Sequence, residues 1–300
     1  MNIEQVADFG DSCGESPVWD RAAQVLYWTD CGGRRFFQYD ARRNRAQILQ
    51  NDLEINGFRR NKRGGYAITN NSGIWLWDGP GSEPRLIASE AGGHPCRMND
   101  CVADPRGRLL AGSWFYDPAH EYPLGWLFRV DTDGTVTALD EGYHLSNGLA
   151  FSPDGSLLYA TDSAGRTIYE YDYDMETGNI RNRRVRVAVP REEGLPDGLR
   201  VDTSGFLWSA QWDGSCVVRY DPDGKPERRI PVPAKQVACV TFGGPELTTL
   251  YITTAGQSEP MPVMPPGYDA QTGPFGGPLY RVEVGIQGLP DLETDISLAR

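Results

Sequence analysis

The chain has 300 residues, of which 39% are hydrophobic, and this is enough to build a sizeable buried core. Its 29 Lys and Arg residues stand against 41 Asp and Glu residues, and the net charge of -12 excludes the basic, phosphate-binding surface that a nucleic-acid partner requires. No apolar stretch approaches the roughly 18 residues of a membrane-spanning helix, and the first residues lack the pattern of a signal peptide, so we expect a cytoplasmic protein without a membrane partner.

One pattern recurs six times along the chain: an apolar run, a turn containing Asp, Gly or Pro, and a second apolar run. The copies begin at Glu15, Asn56, Asn99, Asn147, Asp197 and Cys239, about 41 to 50 residues apart. Two short β-rich runs joined by a tight turn are typical of a hairpin. A third run closes most copies, at 35–39, 74–77, 126–130, 168–171, 217–220 and 279–282.

A repeat of roughly 40 to 50 residues with three or four strands is typical of a β-propeller blade. We predict an all-β, six-bladed β-propeller that forms a single domain over residues 1–300, with a metal site in its central channel. Residues 2–7 are predicted to form the outer strand of the last blade, which would close the ring and remove a free sheet edge. The Pro-rich segment 259–278 is predicted to be a long loop, either a surface excursion or a lid or subunit contact.

Polar side chains occupy the same register in five of the six repeats. Counting back five residues from the turn residue of each repeat gives Glu15, Asn56, Asn99, Asn147 and Asp197. The innermost strand of each blade lines the channel of a propeller, so these side chains are predicted to converge near one mouth. Their carboxylate and amide oxygens suit Ca²⁺, Mg²⁺ or Mn²⁺, and Fe(II) and Zn²⁺ are also compatible. The alternative is that they cap strands or bind channel water, and it applies most to Asn56.

Arg97 stands two residues before Asn99, and the alternation of a strand would point both side chains at the same channel mouth. A guanidinium in that place is suited to an oxyanion or a carboxylate. Trp114, Tyr116 and Trp212 follow inner hairpins, where they are either a stacking wall for a sugar ring or part of the core.

Other catalytic classes lack their motifs. The one Gly-x-Ser-x-Gly match, at 10–14, leads into a β-rich repeat and lacks the following helix of a nucleophile elbow, and the chain has no phosphate-binding glycine loop. Its six cysteines form no Cys-x-x-Cys pair and are expected to be free thiols. His94 and His144 are either exposed loop residues or groups for proton transfer near the mouth, and His120 lies in a segment that could overhang the same opening.

Four ordered motifs carry a resemblance to a known family. They are Gly-Glu-Ser-Pro-Val-Trp at 14–19, Arg-Met-Asn-Asp at 97–100, Ser-Asn-Gly-Leu-Ala at 146–150 and Pro-Asp-Gly at 196–198. The chain resembles the SMP-30/gluconolactonase/luciferin-regenerating enzyme (regucalcin-like) family over nearly its whole length. The resemblance implies a six-bladed propeller with one divalent cation, either Ca, Mg, Mn, Zn or Fe(II), and hydrolysis of a sugar lactone such as glucono-, xylono- or arabinonolactone to the aldonic acid.

By the same resemblance Glu15, Asn147 and Asp197 are the metal ligands, and Arg97 and Asn99 hold the substrate. Glu121 matches an acidic substrate contact of some members through a loop that aligns less well. Asp197 is our candidate for the general base, because a carboxylate beside the metal can accept a proton from the attacking water.

Two alternatives of other classes stay open at this point. One is a metal-dependent phosphotriesterase or paraoxonase-like hydrolase on the same propeller. The other is a non-catalytic calcium-binding propeller, which would present its apolar or charged residues on the outer rim. The particular sugar lactone, the native cation and the oligomeric state are not determined by the sequence.

Overall fold

The computed structural model describes residues 2–114, 125–256, 269 and 272–298. Six four-stranded antiparallel sheets account for nearly all of its regular structure. In chain order they are β2–β5 (Gly14–Asp20, Val25–Asp30, Arg35–Asp40, Arg45–Asn51), β6–β9 (Gly57–Arg60, Tyr66–Asn70, Gly73–Trp77, Arg85–Ala88), β12–β15 (Met98–Ala103, Leu109–Ser113, Gly125–Val130, Val136–Tyr143), β16–β19 (Ser146–Phe151, Leu157–Asp162, Thr167–Tyr173, Ile180–Ala188), β20–β23 (Leu195–Val201, Leu207–Trp212, Cys216–Tyr220, Pro226–Pro231) and β24–β26 (Gln236–Gly243, Thr249–Ala255, Pro278–Glu283) with β1 (Ile3–Asp8). A two-stranded hairpin, β10 (Glu90–Ala91) and β11 (His94–Pro95), precedes the third sheet.

The six sheets are the blades of a β-propeller, as predicted. The first strands of the blades, β2, β6, β12, β16, β20 and β24, contact one another in a closed ring and line the channel. The N-terminal strand β1 pairs with β26 at the outside of the sixth blade, with Ile3 opposite Val282. The prediction of ring closure by the N-terminus is confirmed. The described residues include no helix long and apolar enough to cross a membrane.

The hydrophobic core lies between neighbouring blades. The first, fifth and sixth blades share one buried cluster that includes Trp19, Trp28, Trp208 and Phe242. The rings of Trp208 and Phe242 meet edge-on with their centroids 5.4 Å apart. Because every blade is packed in this way against its neighbours, the strand starts at the channel are held in fixed positions relative to one another.

Five of the six inner strands contain a register shift near their beginning. The shifts fall between Glu15 and Val18, Met98 and Cys101, Ser146 and Leu149, Pro196 and Leu199, and Val237 and Cys239. A bulge breaks the strict alternation of side chains, so adjacent residues can both turn inward. Four of the five bulges therefore lie at residues of the polar register, whereas β6, which follows Asn56, has no bulge.

Glycine follows three of the polar residues, Asn56, Asn147 and Asp197, because the next blade approaches closely. A Cβ on Gly148 would lie 2.5 Å from the carbonyl oxygen of Asp197, and a Cβ on Gly198 would lie 2.2 Å from Cys239 Sγ. Only glycine fits at such a distance. The Asn-Gly and Asp-Gly pairs of the motifs are thus a consequence of ring packing.

The segment after β26 crosses the far mouth of the channel, which the sequence did not indicate. Its backbone N–H groups at Leu289, Thr294 and Asp295 donate to the carbonyl oxygens of Val201, Arg60 and Gly107 at 3.2, 2.9 and 2.7 Å. The side chain of Asp291 accepts from Trp19 N at 2.8 Å and from Thr241 Oγ1 at 3.0 Å. This tail contacts the fifth, sixth, first, second and third blades at the end opposite the polar register.

We expect Asp291→Ala to lower the free energy of unfolding by about 3 kcal/mol, because it leaves a buried backbone N–H and the Arg200 guanidinium without their carboxylate. Asp295→Ala in the same tail is the control, since its carboxylate is 38% exposed and pairs with an exposed Arg63. That change should cost less than about 1 kcal/mol. Urea unfolding of the two variants measures the difference, and equal losses would contradict the role given to Asp291.

Candidate active site

All five residues of the polar register lie around one cavity of about 520 Å³ at the beginning of the inner strands. Glu15, Asn56, Asn99, Asn147 and Asp197 are part of its wall. The rest of the lining includes Cys13, Cys31, Glu54, Asn71, Trp114, Ser163 and Trp212. A concave site of this size with converging polar groups is typical of a small-molecule site.

The three asparagines are oriented by their amide N–H groups. Asn56 Nδ2 donates to Met98 O at 2.9 Å, and Asn99 Nδ2 donates to Ser146 O at 3.0 Å, each in the following blade. Asn147 Nδ2 donates to Ser163 Oγ at 3.2 Å. Because the donors are used within the protein, the amide oxygens are left as acceptors for a ligand.

The carboxylates of the site are crowded and poorly neutralised. Asp197 is 3% exposed, and its Oδ1 has no hydrogen-bond partner among the described residues. Burial, followed by the charges of Glu15 and Asp100, raises the pKa of Asp197 well above its usual range. Burial and the charge of Asp100 raise the pKa of Glu15 to about 8. No Lys, Arg or His is among the described residues that line the cavity, so these carboxylates have no positive partner in its described wall.

Asp100 is a member of this acidic group that the sequence reasoning missed. Its side chain is buried, its Oδ1 accepts from Cys101 N at 2.7 Å, and its Oδ2 has no hydrogen-bond partner in the described part of the chain. Strand alternation would direct it away from the side chain of Asn99. The bulge between Met98 and Cys101 removes that alternation, and a propensity for such a bulge is not visible in the sequence.

Arg97 lies against an aromatic side chain of the cavity wall. Its guanidinium stacks on the Trp114 ring, 3.7 Å from the ring centroid, and Trp114 forms the cavity wall. Trp114 Nε1 in turn donates to Asn71 Oδ1 at 3.0 Å, and Asn71 Nδ2 donates to Glu54 Oε1. Asn71 and Glu54 had no signal in the sequence, because the bond between Trp114 and Asn71 spans 43 residues and joins two blades, and Glu54 is linked to Trp114 only through Asn71. Together these side chains form a polar rim with one aromatic face.

The histidines that the structure describes make structural contacts. His144 Nδ1 bonds Asp162 Oδ2 at 2.9 Å, and this bond raises the pKa of His144. His94 stacks on Trp126 with ring centroids 3.8 Å apart. His120, Tyr116 and Glu121 lie outside the described residues, as does most of segment 259–278.

A metal site was predicted from Glu15, Asn147 and Asp197. In the described ranges, no three His, Cys, Asp or Glu side chains are arranged to hold a metal ion. The predicted ligand set differs from a cluster of three such side chains, because it combines two carboxylates with the amide oxygen of Asn147. The unpartnered Asp197 oxygen and the excess of negative charge fit a hard divalent cation.

A family model described as the SMP-30/Gluconolactonase/LRE-like region matches residues 13–256. The chain belongs to this family. The match includes all six inner strands and every residue of the polar register. The family resemblance expected from the four motifs is confirmed.

Within the SMP-30/Gluconolactonase/LRE-like family, several relatives match nearly the full chain. Pentonolactonase XacC of Haloferax volcanii is 37% identical, over 99% of this chain and 100% of that protein. The 6-deoxy-6-sulfogluconolactonase of Pseudomonas putida is 33% identical, over 92% of each chain. A solved structure of luciferin-regenerating enzyme superposes with a TM-score of 0.85 at 28% identity, over 98% of this chain and 99% of that one.

Proposed function

We propose that this protein hydrolyses a sugar lactone to its aldonic acid with the help of a divalent cation. Hydrolysis of lactone esters is the activity named for relatives that match more than nine-tenths of the chain.

The observation that carries the proposal is the convergence of uncompensated oxygens in one cavity. Five inner strands contribute an oxygen-bearing side chain, and a buried oxygen of Asp197 has no partner among the described residues. Such an arrangement is costly unless a ligand satisfies it. A cation and a polyhydroxylated substrate together would do so.

Glu15, Asn147 and Asp197 are the residues that we assign to the cation. A divalent cation bound by them would polarise the lactone carbonyl and keep the neighbouring carboxylates ionised. Their oxygens are hard ligands, and Ca²⁺, Mg²⁺ and Mn²⁺ are accordingly the first candidates, followed by Zn²⁺ and Fe(II).

Asp197 is assigned the proton transfer. Its carboxylate accepts a proton from the water that attacks the lactone carbonyl, and the bond between the carbonyl carbon and the ring oxygen breaks. The proton taken up by Asp197 passes to the ring oxygen, which leaves as the hydroxyl of the open-chain acid, and the carboxylate of Asp197 is restored. Burial of Asp197 supports this role, because a carboxylate withheld from solvent is a stronger base than one in water.

Asn99, Arg97 and Trp114 are assigned the orientation of the substrate. The amide oxygen of Asn99 is available for a ring hydroxyl, and Trp114 presents a flat face to the sugar ring. The stacked Arg97 guanidinium has N–H donors along its edge, which suits a carbonyl or hydroxyl oxygen. Glu121 is proposed as a further contact on sequence grounds alone.

The substrate is proposed to be an aldonolactone, with pentonolactones first. The match to the relative named pentonolactonase covers 99% of this chain and 100% of that protein, and this supports a lactone of a five-carbon acid. The experiment is a pH-indicator assay of acid release from xylono-, arabinono-, galactono- and gluconolactone. Chelated protein receives one cation at a time, and spontaneous hydrolysis is subtracted. No turnover of any lactone with any cation would refute the proposal.

Trp114→Leu is expected to raise KM for the best lactone about tenfold with little change in kcat, since it removes the stacking face and the support of Arg97. Trp126→Leu is the matched control, because that tryptophan stacks on His94 in the same blade but does not line the cavity. Steady-state kinetics of both variants decide the point. A KM for Trp114→Leu equal to that of the control would argue against a substrate contact.

A further inference from the structure

Two cysteines face each other at the wall of the candidate active site. Cys13 precedes β2 and Cys31 follows β3, and the adjacent residues Gly14 and Asp30 are paired across these antiparallel strands. Cys31 N donates to Cys13 O at 3.0 Å. Both cysteines are free, partly exposed and part of the cavity wall.

The strand pairing places the backbones of the two cysteines opposite each other, as a disulfide requires. Directly opposite residues of a hydrogen-bonded antiparallel pair have Cα atoms about 5.5 Å apart. A disulfide needs a Cα separation of about 4.4 to 6.8 Å. A disulfide between the two cysteines therefore requires only a small movement.

The carboxylate of Asp30 holds the two backbones in this register. Its Oδ1 accepts from Cys13 N and from Gly33 N, both at 2.8 Å, so one side chain bridges the segment before β2 and the turn after β3. Arg35 pairs with the same carboxylate at 2.6 Å. The thiols are preorganised, because the entropy of bringing them together is already lost in the folded protein.

We propose that Cys13 and Cys31 form a modification site at which a small-molecule disulfide such as glutathione disulfide closes an intramolecular disulfide. One cysteine thiolate attacks a sulfur of glutathione disulfide and releases one molecule of glutathione. The other cysteine thiolate attacks the resulting mixed disulfide and releases the second glutathione. Two electrons pass to glutathione disulfide, and the two thiol protons end on the two glutathione molecules.

Closure of this bond changes the wall of the cavity. Cys13, Cys31 and Gly32 all line it, and Glu15 follows Cys13 by two residues. Small displacements of lining groups weaken substrate positioning. We expect the oxidised protein to show a KM at least threefold higher, with recovery on reduction. This effect on KM rests on the proposed lactonase function, whereas the disulfide itself does not.

The full chain is incubated with glutathione disulfide, and intact mass and peptide mapping follow the reaction. The expected result is a loss of about 2 Da, located in a Cys13 to Cys31 linkage and reversed by dithiothreitol. Cys31→Ser should abolish the loss. Cys216→Ser should leave it unchanged, because Cys216 is a partly exposed thiol outside the cavity.

Three results would overturn the proposal. They are the absence of the 2 Da loss, its persistence in Cys31→Ser, and a linked protein whose KM and cation affinity both equal those of the reduced form. Cation affinity is read from the thermal shift caused by Ca²⁺ or Mn²⁺. The cation-binding measurement does not require lactone turnover, so it tests the disulfide proposal even if the reduced protein hydrolyses no lactone. A lack of turnover would count against the proposed function and not against the disulfide.

Discussion

Asp197→Asn should lower kcat for lactone hydrolysis by at least about a thousandfold, while the protein remains folded. The substitution removes the proposed base and one carboxylate ligand but keeps the shape of the side chain. General base catalysis alone accounts for roughly 10² to 10⁴ in rate, and loss of a cation ligand adds to that. The measurement is steady-state turnover of the preferred lactone, at saturating cation, with circular dichroism as the check on folding.

The same variant should unfold at a higher temperature than the wild type when both are free of metal. Burial and the charges of Glu15 and Asp100 disfavour the ionised form of Asp197, so a neutral amide relieves the repulsion among these carboxylates. A rise in Tm together with a loss of activity would mark Asp197 as a functional residue that reduces the stability of the metal-free protein.

Asp202→Asn at the other end of the same strand is the matched control. Its carboxylate is fully buried, pairs with Arg219 at 2.7 Å and accepts from Trp208 Nε1 at 2.9 Å. Loss of this charge should cost about 3 kcal/mol of stability and leave kcat nearly unchanged. If Asp197→Asn retained activity within a few-fold of wild type, the assignment of the base would be wrong.

The second large effect is expected in the pH dependence of stability. The pKa of Glu15 is raised to about 8 in the folded protein, and that of Asp197 is raised well above its usual range. A carboxyl whose pKa is raised by folding contributes stability below its unfolded pKa and loses that contribution as the pH rises through the folded value. The Tm of metal-free protein should therefore fall between about pH 5 and pH 8.

A saturating divalent cation should reverse this trend, because cation and protons compete for the same carboxylates. The increase in Tm caused by the cation should accordingly be larger at pH 8 than at pH 5. Differential scanning calorimetry with chelator and with each cation measures both curves. Buried Asp11, whose pKa is raised to about 7, contributes in the same direction, so the slope must be compared with Glu15→Gln. An unchanged slope in that variant would exclude Glu15 as the source.

The number of blades could be predicted because each repeat of the sequence forms one blade. An apolar run, a turn and a second apolar run specify a hairpin through local alternation, and six such copies specify six blades. The polar register could also be predicted from the sequence, since Glu15, Asn147 and Asp197 occupy equivalent positions in their repeats. A propeller brings equivalent positions to the same mouth, and the five register residues lie around one cavity.

Other parts of the site depend on contacts between blades and were beyond sequence reasoning. Asp100 joins the acidic group only because a bulge interrupts the strand after Met98. The stacking of Arg97 on Trp114 had no signal in the sequence. The opposed pair Cys13 and Cys31 becomes visible only once the strand register is known.

The sequence by itself determined the all-β architecture, the six blades, the closing strand, the family and the oxygen-rich register, because each of these follows from periodicity within a repeat or from a local motif. The tertiary structure alone decided the charge balance of the cavity, the stacking at its rim and the tail across the far mouth. Burial, bulges and blade-to-blade distances set those features, and they join residues that lie tens to hundreds of positions apart in the chain.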